Sequence, residues 1–145
     1  DGVTDLYAPA EVAAEPDPAV TEALVRAVQE LEYPFHCGLT CTTADFYHGQ
    51  GRPAPGFHGV DENLLKGWQA AGVLNLEMEM AVYFTLARVC RYPIRAGGVT
   101  AVFADRCRDL FIDAAAMELA EERLCRVGLR AVEILQGAAL QGAEP

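Results

Sequence analysis

Short β-prone runs alternate with stretches of helical period along most of this chain, and that alternation limits the folds open to it more than any other feature. Strand, helix and strand in succession bury their apolar faces most simply as parallel strands with helices laid against them. The order therefore predicts an α/β fold with a mixed, largely parallel central sheet flanked by helices. Residues 3–7 read as a first short strand and residues 8–19, with Pro9, Pro16 and Pro18, as a loop. Asp17 then caps a helix over 18–32, with Pro18 at its first position and Val20, Leu24, Ala27, Val28 and Leu31 on one face. Its Glu22, Arg26 and Glu30 form a solvated face. Pro34 ends that helix, and the apolar run 35–42 predicts a buried strand.

A helix capped by Asp61 and stopped by Gly72 follows, through Leu64, Leu65, Trp68 and Ala71. Residues 73–76 predict a second strand, and 81–91 a helix whose apolar residues Val82, Phe84, Leu86 and Val89 cover most of its circumference, so that it should be mostly buried. Residues 94–104 predict a further buried strand ending at Asp105-Arg106. The last helix is expected over 113–136, with Met117, Leu124, Leu129, Val132 and Leu135 covering the sheet and Gly137 starting a frayed tail.

With 145 residues, 52% of them hydrophobic, the chain suits one domain with a sizeable core. Its net charge of −10 argues against nucleic acid and anionic membrane surfaces as partners, since both need basic patches. A small anionic ligand held by a few local arginines stays open. No apolar run nears the roughly 20 residues that cross a bilayer, and there is no basic, then apolar, leader at the start, so a soluble, cytoplasmic protein is expected. Cys37, Cys41, Cys90, Cys107 and Cys125 show no paired or histidine-flanked metal spacing and read as reduced core thiols of an intracellular protein. No metal is expected, and His36, His48 and His58 receive no role. The start at Asp1, without methionine, leads to the expectation that the chain is a piece of something longer.

One stretch gathers more chemistry than its surroundings. Thr42-Thr43-Ala44-Asp45-Phe46-Tyr47-His48-Gly49-Gln50-Gly51-Arg52 places two aromatics, a primary amide and a guanidinium in a glycine-punctuated turn. The glycines let the backbone approach a ligand. An aromatic face, an amide that both donates and accepts, and an arginine fork suit a flat, hydrogen-bonding ring such as a nucleobase. Composition by itself favours an ordinary surface loop with Phe46 and Tyr47 tucked into the core. The stretch sits at the end of a predicted strand, where ligands of open α/β sheets bind. The proline- and glycine-rich residues 53–59 behind it suit either a lid or a plain connection.

Two other polar groups sit at predicted strand ends: Glu77 with Glu79, and Asp105 with Arg106. A carboxylate beside a sugar accepts hydrogen bonds from its hydroxyls and strengthens its hold as positive charge develops on the ring. That is one reading of Glu79. In the other, both glutamates pair with arginines or cap the next helix, and Met78 packs into the core.

The runs 45–52 and 67–79, and the segment from Arg95-Ala96-Gly97-Gly98 to Asp105-Arg106, resemble the uridine-cleaving branch of the nucleoside phosphorylase family, in the family's order and over about residues 6–135. The resemblance implies reversible phosphorolysis of uridine to uracil and ribose 1-phosphate, in nucleotide salvage, with phosphate as co-substrate and no cofactor. It implies that Phe46 lines the base site, that Gln50 and Arg52 bind the uracil edge, that Met78 and Glu79 contact ribose with Glu77 close by, and that Arg106 supports the uracil site. Glu79 and Arg52 would carry the catalysis: phosphate attacks the anomeric carbon, the sugar passes through an oxocarbenium-like state, and Gln50 and Arg52 stabilise the departing uracil anion.

The family's first part, which carries the phosphate-binding glycine and arginines, has no counterpart here. The chain thus resembles the family's carboxyl-terminal segment, active only with the missing amino-terminal segment or a partner subunit, and oligomeric as the family is. Met80 stands where a small residue is usual, and Pro53-Ala54-Pro55 is an unusual loop. A catalytically inactive binding or scaffold subunit is the alternative from another class. Asp105 keeps a purine nucleoside substrate open, although the amide and guanidinium of Gln50 and Arg52 suit uracil's imide edge.

Overall fold

Asp17 does what its position requires: its side chain accepts a hydrogen bond from the Val20 N–H at 3.1 Å and starts α1, Pro18–Glu30, with proline in the first turn. The computed structural model describes residues 2–61 and 63–141, and in it the chain alternates between two compact units. The first combines residues 1–15 with 36–94, and the second combines 16–35 with 95–145. The fold is mixed α/β, as expected, with one parallel and one antiparallel strand pair.

In the first unit, β1 (Leu39–Thr42) pairs in parallel with β2 (Val73–Glu77), so that Thr42 stands beside Glu77. The register slips between Leu39 and Thr40. Helix α2 (Leu64–Ala70) makes the crossover between the two strands, and α3 (Met80–Val89) follows β2. The parallel pair therefore delivers both polar segments, the loop after β1 and the turn after β2, at the same strand ends.

In the second unit, α1 packs on α4 (Ala114–Gln141) around buried Ala23, Ala27, Val28, Val127 and Ala131. Three alanines in that seam let the helix backbones come close. Leu24, Leu31, Tyr33, Ile134 and Leu135 close its sides. The two-residue strands β3 (Ala104–Asp105) and β4 (Leu110–Phe111) form an antiparallel hairpin.

Several local expectations change. Residues 3–7 are no strand: Thr4–Leu6 is a 3-10 turn, because the Tyr7 and Ala8 N–H groups both donate to the Thr4 carbonyl and satisfy the backbone locally. Of the run 35–42 only the last four residues pair, and Leu39 is 61% exposed, so the strand is not buried. Of 94–104 only Ala104 belongs to a strand, and Ile94, Val99 and Val102 are exposed. Asp61 does not cap α2; its carboxylate accepts from the Asn63 N–H, and the helix begins at Leu64. Helix α3 is buried at Phe84 and Thr85 but exposes Tyr83 and Val89.

Helix α4 turns a different stripe inward from the one expected. Leu129 and Val132 are 69% and 51% exposed, while Val127 and Ala131 are buried against α1, and Gly137 lies within the helix. Residues 142–145 of the expected tail lie outside the described residues. The cysteines are free but not core: Cys37, Cys107 and Cys125 are exposed, and Cys41 and Cys90 are half-buried.

Candidate functional site

The loop after β1 is shaped by one carboxylate. Asp45 Oδ1 accepts from the Tyr47 N–H at 2.7 Å, and its Oδ2 accepts from the Gly49 N–H at 2.9 Å. A Cβ at Gly49 would lie 2.9 Å from that Oδ2, so the contact requires glycine. The chain then makes a 3-10 turn, His48–Gln50, and leaves it through Gly51 at φ +62°. His48 donates through Nε2 to the His58 carbonyl at 3.3 Å and sets its ring edgewise to Phe57, which ties the 53–59 loop back onto the turn.

This geometry places the chemistry-bearing side chains differently from one another. Phe46 and Tyr47 are about half exposed and meet edge to face at 5.6 Å, so neither is tucked into the core. The Arg52 guanidinium lies over the Phe46 ring, 4.1 Å from its centre. That stack fixes the plane of the guanidinium and is worth about 0.5–1 kcal/mol at an exposed position. Gln50, by contrast, is only 6% exposed, and its Nε2 donates to the Thr43 hydroxyl at 3.2 Å.

Thr43 joins this loop to the turn after β2. Its N–H donates to the Glu77 carbonyl at 2.8 Å, extending the ladder by one bond beyond the paired strands. Glu77 is the last residue of β2, and its carboxylate is used within the turn. Oε2 accepts from the N–H groups of Glu79 and Met80 at 2.7 and 2.6 Å, so it caps the first turn of α3. Oε1 accepts from the hydroxyls of Thr42 and Thr40, and Thr42 Oγ1 in turn accepts the Ala81 N–H at 3.0 Å. Glu77 thus shapes the turn that carries Met78 and Glu79, both exposed. Glu79 Oε2 accepts its neighbour's N–H, from Met78, at 3.1 Å.

The structure therefore brings Phe46, Gln50 and Arg52 together on one loop and links that loop through Thr43 to Glu77, Met78 and Glu79. Arg106 belongs to the second unit, half-buried at the start of the turn from β3 to β4. In that turn Asp105 Oδ1 accepts from the N–H groups of Cys107 and Arg108. Within β1, burial pushes the Cys41 thiol up, which keeps it protonated near neutral pH and unsuited to act as a nucleophile. Among the described residues no cluster of three or more His, Cys, Asp or Glu could hold a metal.

The phosphorylase superfamily model matches residues 1–133. The chain belongs to the phosphorylase superfamily. Over 93% of its length this superfamily chain is 39% identical to a uridine phosphorylase of Thermococcus kodakarensis, covering 47% of that protein. It is 33% identical to the uridine phosphorylase of Klebsiella aerogenes and 32% identical to that of Escherichia coli, covering 54% of each. The chain thus spans about half the length of the curated relatives it matches. No helix among the described residues is long and apolar enough to cross a membrane.

Sequence reasoning missed the roles of Thr42 and Thr43 in this superfamily member. Both were in view at the start of the loop, but a threonine at a strand end is among the commonest residues there. What marks these two is partnership with residues 34 and 35 positions away in the chain. Glu77 carried a usable signal: an acidic residue just before an apolar helical run is a capping pattern.

Proposed function

We propose that this chain supplies the base- and ribose-recognising part of a uridine phosphorylase, which converts uridine and phosphate reversibly to uracil and ribose 1-phosphate in nucleotide salvage in the cytoplasm. One observation carries the reading: the buried Gln50–Thr43–Glu77 hydrogen-bond chain, which holds a loop suited to a pyrimidine edge against a turn that presents Glu79. Gln50 and the Arg52 fork meet the uracil edge, with Phe46 behind the guanidinium. Glu79 accepts hydrogen bonds from the ribose hydroxyls, and these strengthen as the ring becomes cationic. Arg52 stabilises the negative charge that uracil carries away when the glycosidic bond breaks. Phosphate is the nucleophile, bound by the segment that lies amino-terminal to this part in the family. The assembly is oligomeric, which suits the exposed Tyr83 and Val89 of α3.

The test is uracil release from uridine, with and without phosphate, by the chain joined to an amino-terminal segment of a relative. Release that depends on phosphate and falls about 100-fold in Arg52→Ala is expected, the size of effect seen when one charge-stabilising donor is removed. Release unchanged in that variant, or none from the completed enzyme, would overturn the reading.

A further inference from the structure

We infer that Thr42 is a positioning residue for the ribose site: with Glu77 it caps helix α3 in place of Glu79, and so leaves the Glu79 carboxylate open to the sugar. The inference rests on the proposed role of Glu79 in accepting the ribose hydroxyls. What carries it is the identity of the groups that meet the first N–H groups of α3.

Glu79 occupies the position just before α3, Met80–Val89, from which a side chain ordinarily accepts the N–H of the second or third helical residue. It makes no such bond. Three successive N–H groups are instead taken by side chains of the two strands. Glu77 Oε2 accepts from Glu79 and Met80 at 2.7 and 2.6 Å, and Thr42 Oγ1, reaching across from β1, accepts from Ala81 at 3.0 Å. Ala81 is the second residue of α3, so Thr42 fills the place that the capping side chain would take.

The direction of each bond is fixed. The Ala81 N–H only donates, so the threonine oxygen accepts there, and its one proton is left for Glu77 Oε1, a carboxylate oxygen that accepts. The same bond holds the Glu77 carboxylate in the rotation that offers Oε2 to the turn. Glu79 is exposed, and its Oε2 accepts the Met78 N–H at 3.1 Å, so the side chain is long enough to turn back on its own backbone. Without the Thr42 hydroxyl, the Ala81 N–H becomes an unmet donor two residues from a carboxylate at the capping position. Glu79 then closes onto the helix, and the ribose hydroxyls must compete with a backbone N–H for it.

The experiment measures, by calorimetry, the binding of uridine and of 2′,3′-dideoxyuridine to this chain. The two ligands share the base and differ in the hydroxyls that Glu79 accepts from, so their affinity ratio reports that contact. The unaltered chain should prefer uridine about tenfold or more, the size of effect expected for hydrogen bonds to a charged group. In Thr42→Val, or in Thr42→Ala should valine fail to fold, the preference should shrink at least about threefold while 2′,3′-dideoxyuridine binds as before. Thr42→Ser should restore it, and circular dichroism confirms folding of each variant. A preference that survives loss of the hydroxyl in a folded variant, or that serine does not restore, would overturn the inference and leave the ribose role of Glu79 standing. Equal weakening of both ligands, the mark of a merely structural role, would do the same. An unaltered chain that binds both ligands equally would overturn the ribose role of Glu79, and one that binds neither would overturn the whole base-and-ribose reading; the inference falls with either.

Discussion

Arg52 and Phe46 show how much one contact decides at the scale of residues. A guanidinium on a long side chain has many rotamers, and an aromatic ring 4.1 Å away removes most of them before any ligand arrives. Phe46→Leu keeps the apolar bulk and discards the ring's quadrupole, so uridine binding should weaken about two- to fivefold, the equivalent of roughly 0.5–1 kcal/mol. Titration calorimetry with uridine checks this; unchanged affinity would mean that the stack does not prepare Arg52. The residue types of this loop were legible in the sequence, because two aromatics, an amide between glycines and an arginine fork have few joint uses. Which of them is buried was not. Gln50 lies inside and Phe46 outside, although hydropathy orders them the other way, because Thr43 offers the amide a buried partner while the aromatic ring carries Arg52.

Among the elements, α3 depends on a residue that lies outside it. Glu77 caps it with Oε2 and ties it to β1 through Thr42 with Oε1, so one side chain couples strand, turn and helix. Glu77→Ala should destabilise the chain by about 1–2 kcal/mol, in line with the loss of a helix cap and of bonds to a charged acceptor. A lowered urea midpoint with an unchanged slope is the expected result. Helix α1 was legible almost to the residue, since Asp17 and Pro18 mark its start by local chemistry. The strands were not. An apolar β-prone run states what a segment tolerates, and pairing needs a neighbour at the right height, which only residues 39–42 and 104 of the two long runs obtain. In α4, apolar residues occur all round, so period alone did not choose a face; the alanines of α1 did, by admitting Val127 and Ala131 closely.

Across the whole molecule, one tie between distant parts of the chain contributes to its response to acid. Arg130 hydrogen-bonds Glu30, one hundred positions away, and Arg26 bonds the same carboxylate; together they hold the Glu30 carboxyl below the usual glutamate value. The folded chain therefore binds a proton there less readily than the unfolded chain. Stability from this group is fully present above the ordinary glutamate range, near about 4.3, and is lost as pH falls through the lowered folded value. Denaturant midpoints measured against pH should accordingly fall more steeply on the acid side for the unaltered chain than for Glu30→Gln, with the two curves converging at low pH. Parallel curves would refute the tie. Ala27, with no exposed surface in the α1–α4 seam, sets a second long-range test: Ala27→Leu should cost about 1–3 kcal/mol by overpacking, read as a lower thermal midpoint. The sequence by itself determined the α/β class, the start of α1, the parallel order of the two motif-bearing segments and the chemical character of the loop at 45–52, because caps, periodicity and side-chain chemistry act within a few residues. Only the tertiary structure decided how little of each β-prone run pairs, which face of α4 is inside, that Glu77 is occupied in capping and that Thr43 gives Gln50 a buried partner. Those outcomes depend on hydrogen-bond partners and packing surfaces that lie tens of residues apart and exist only once the chain has folded.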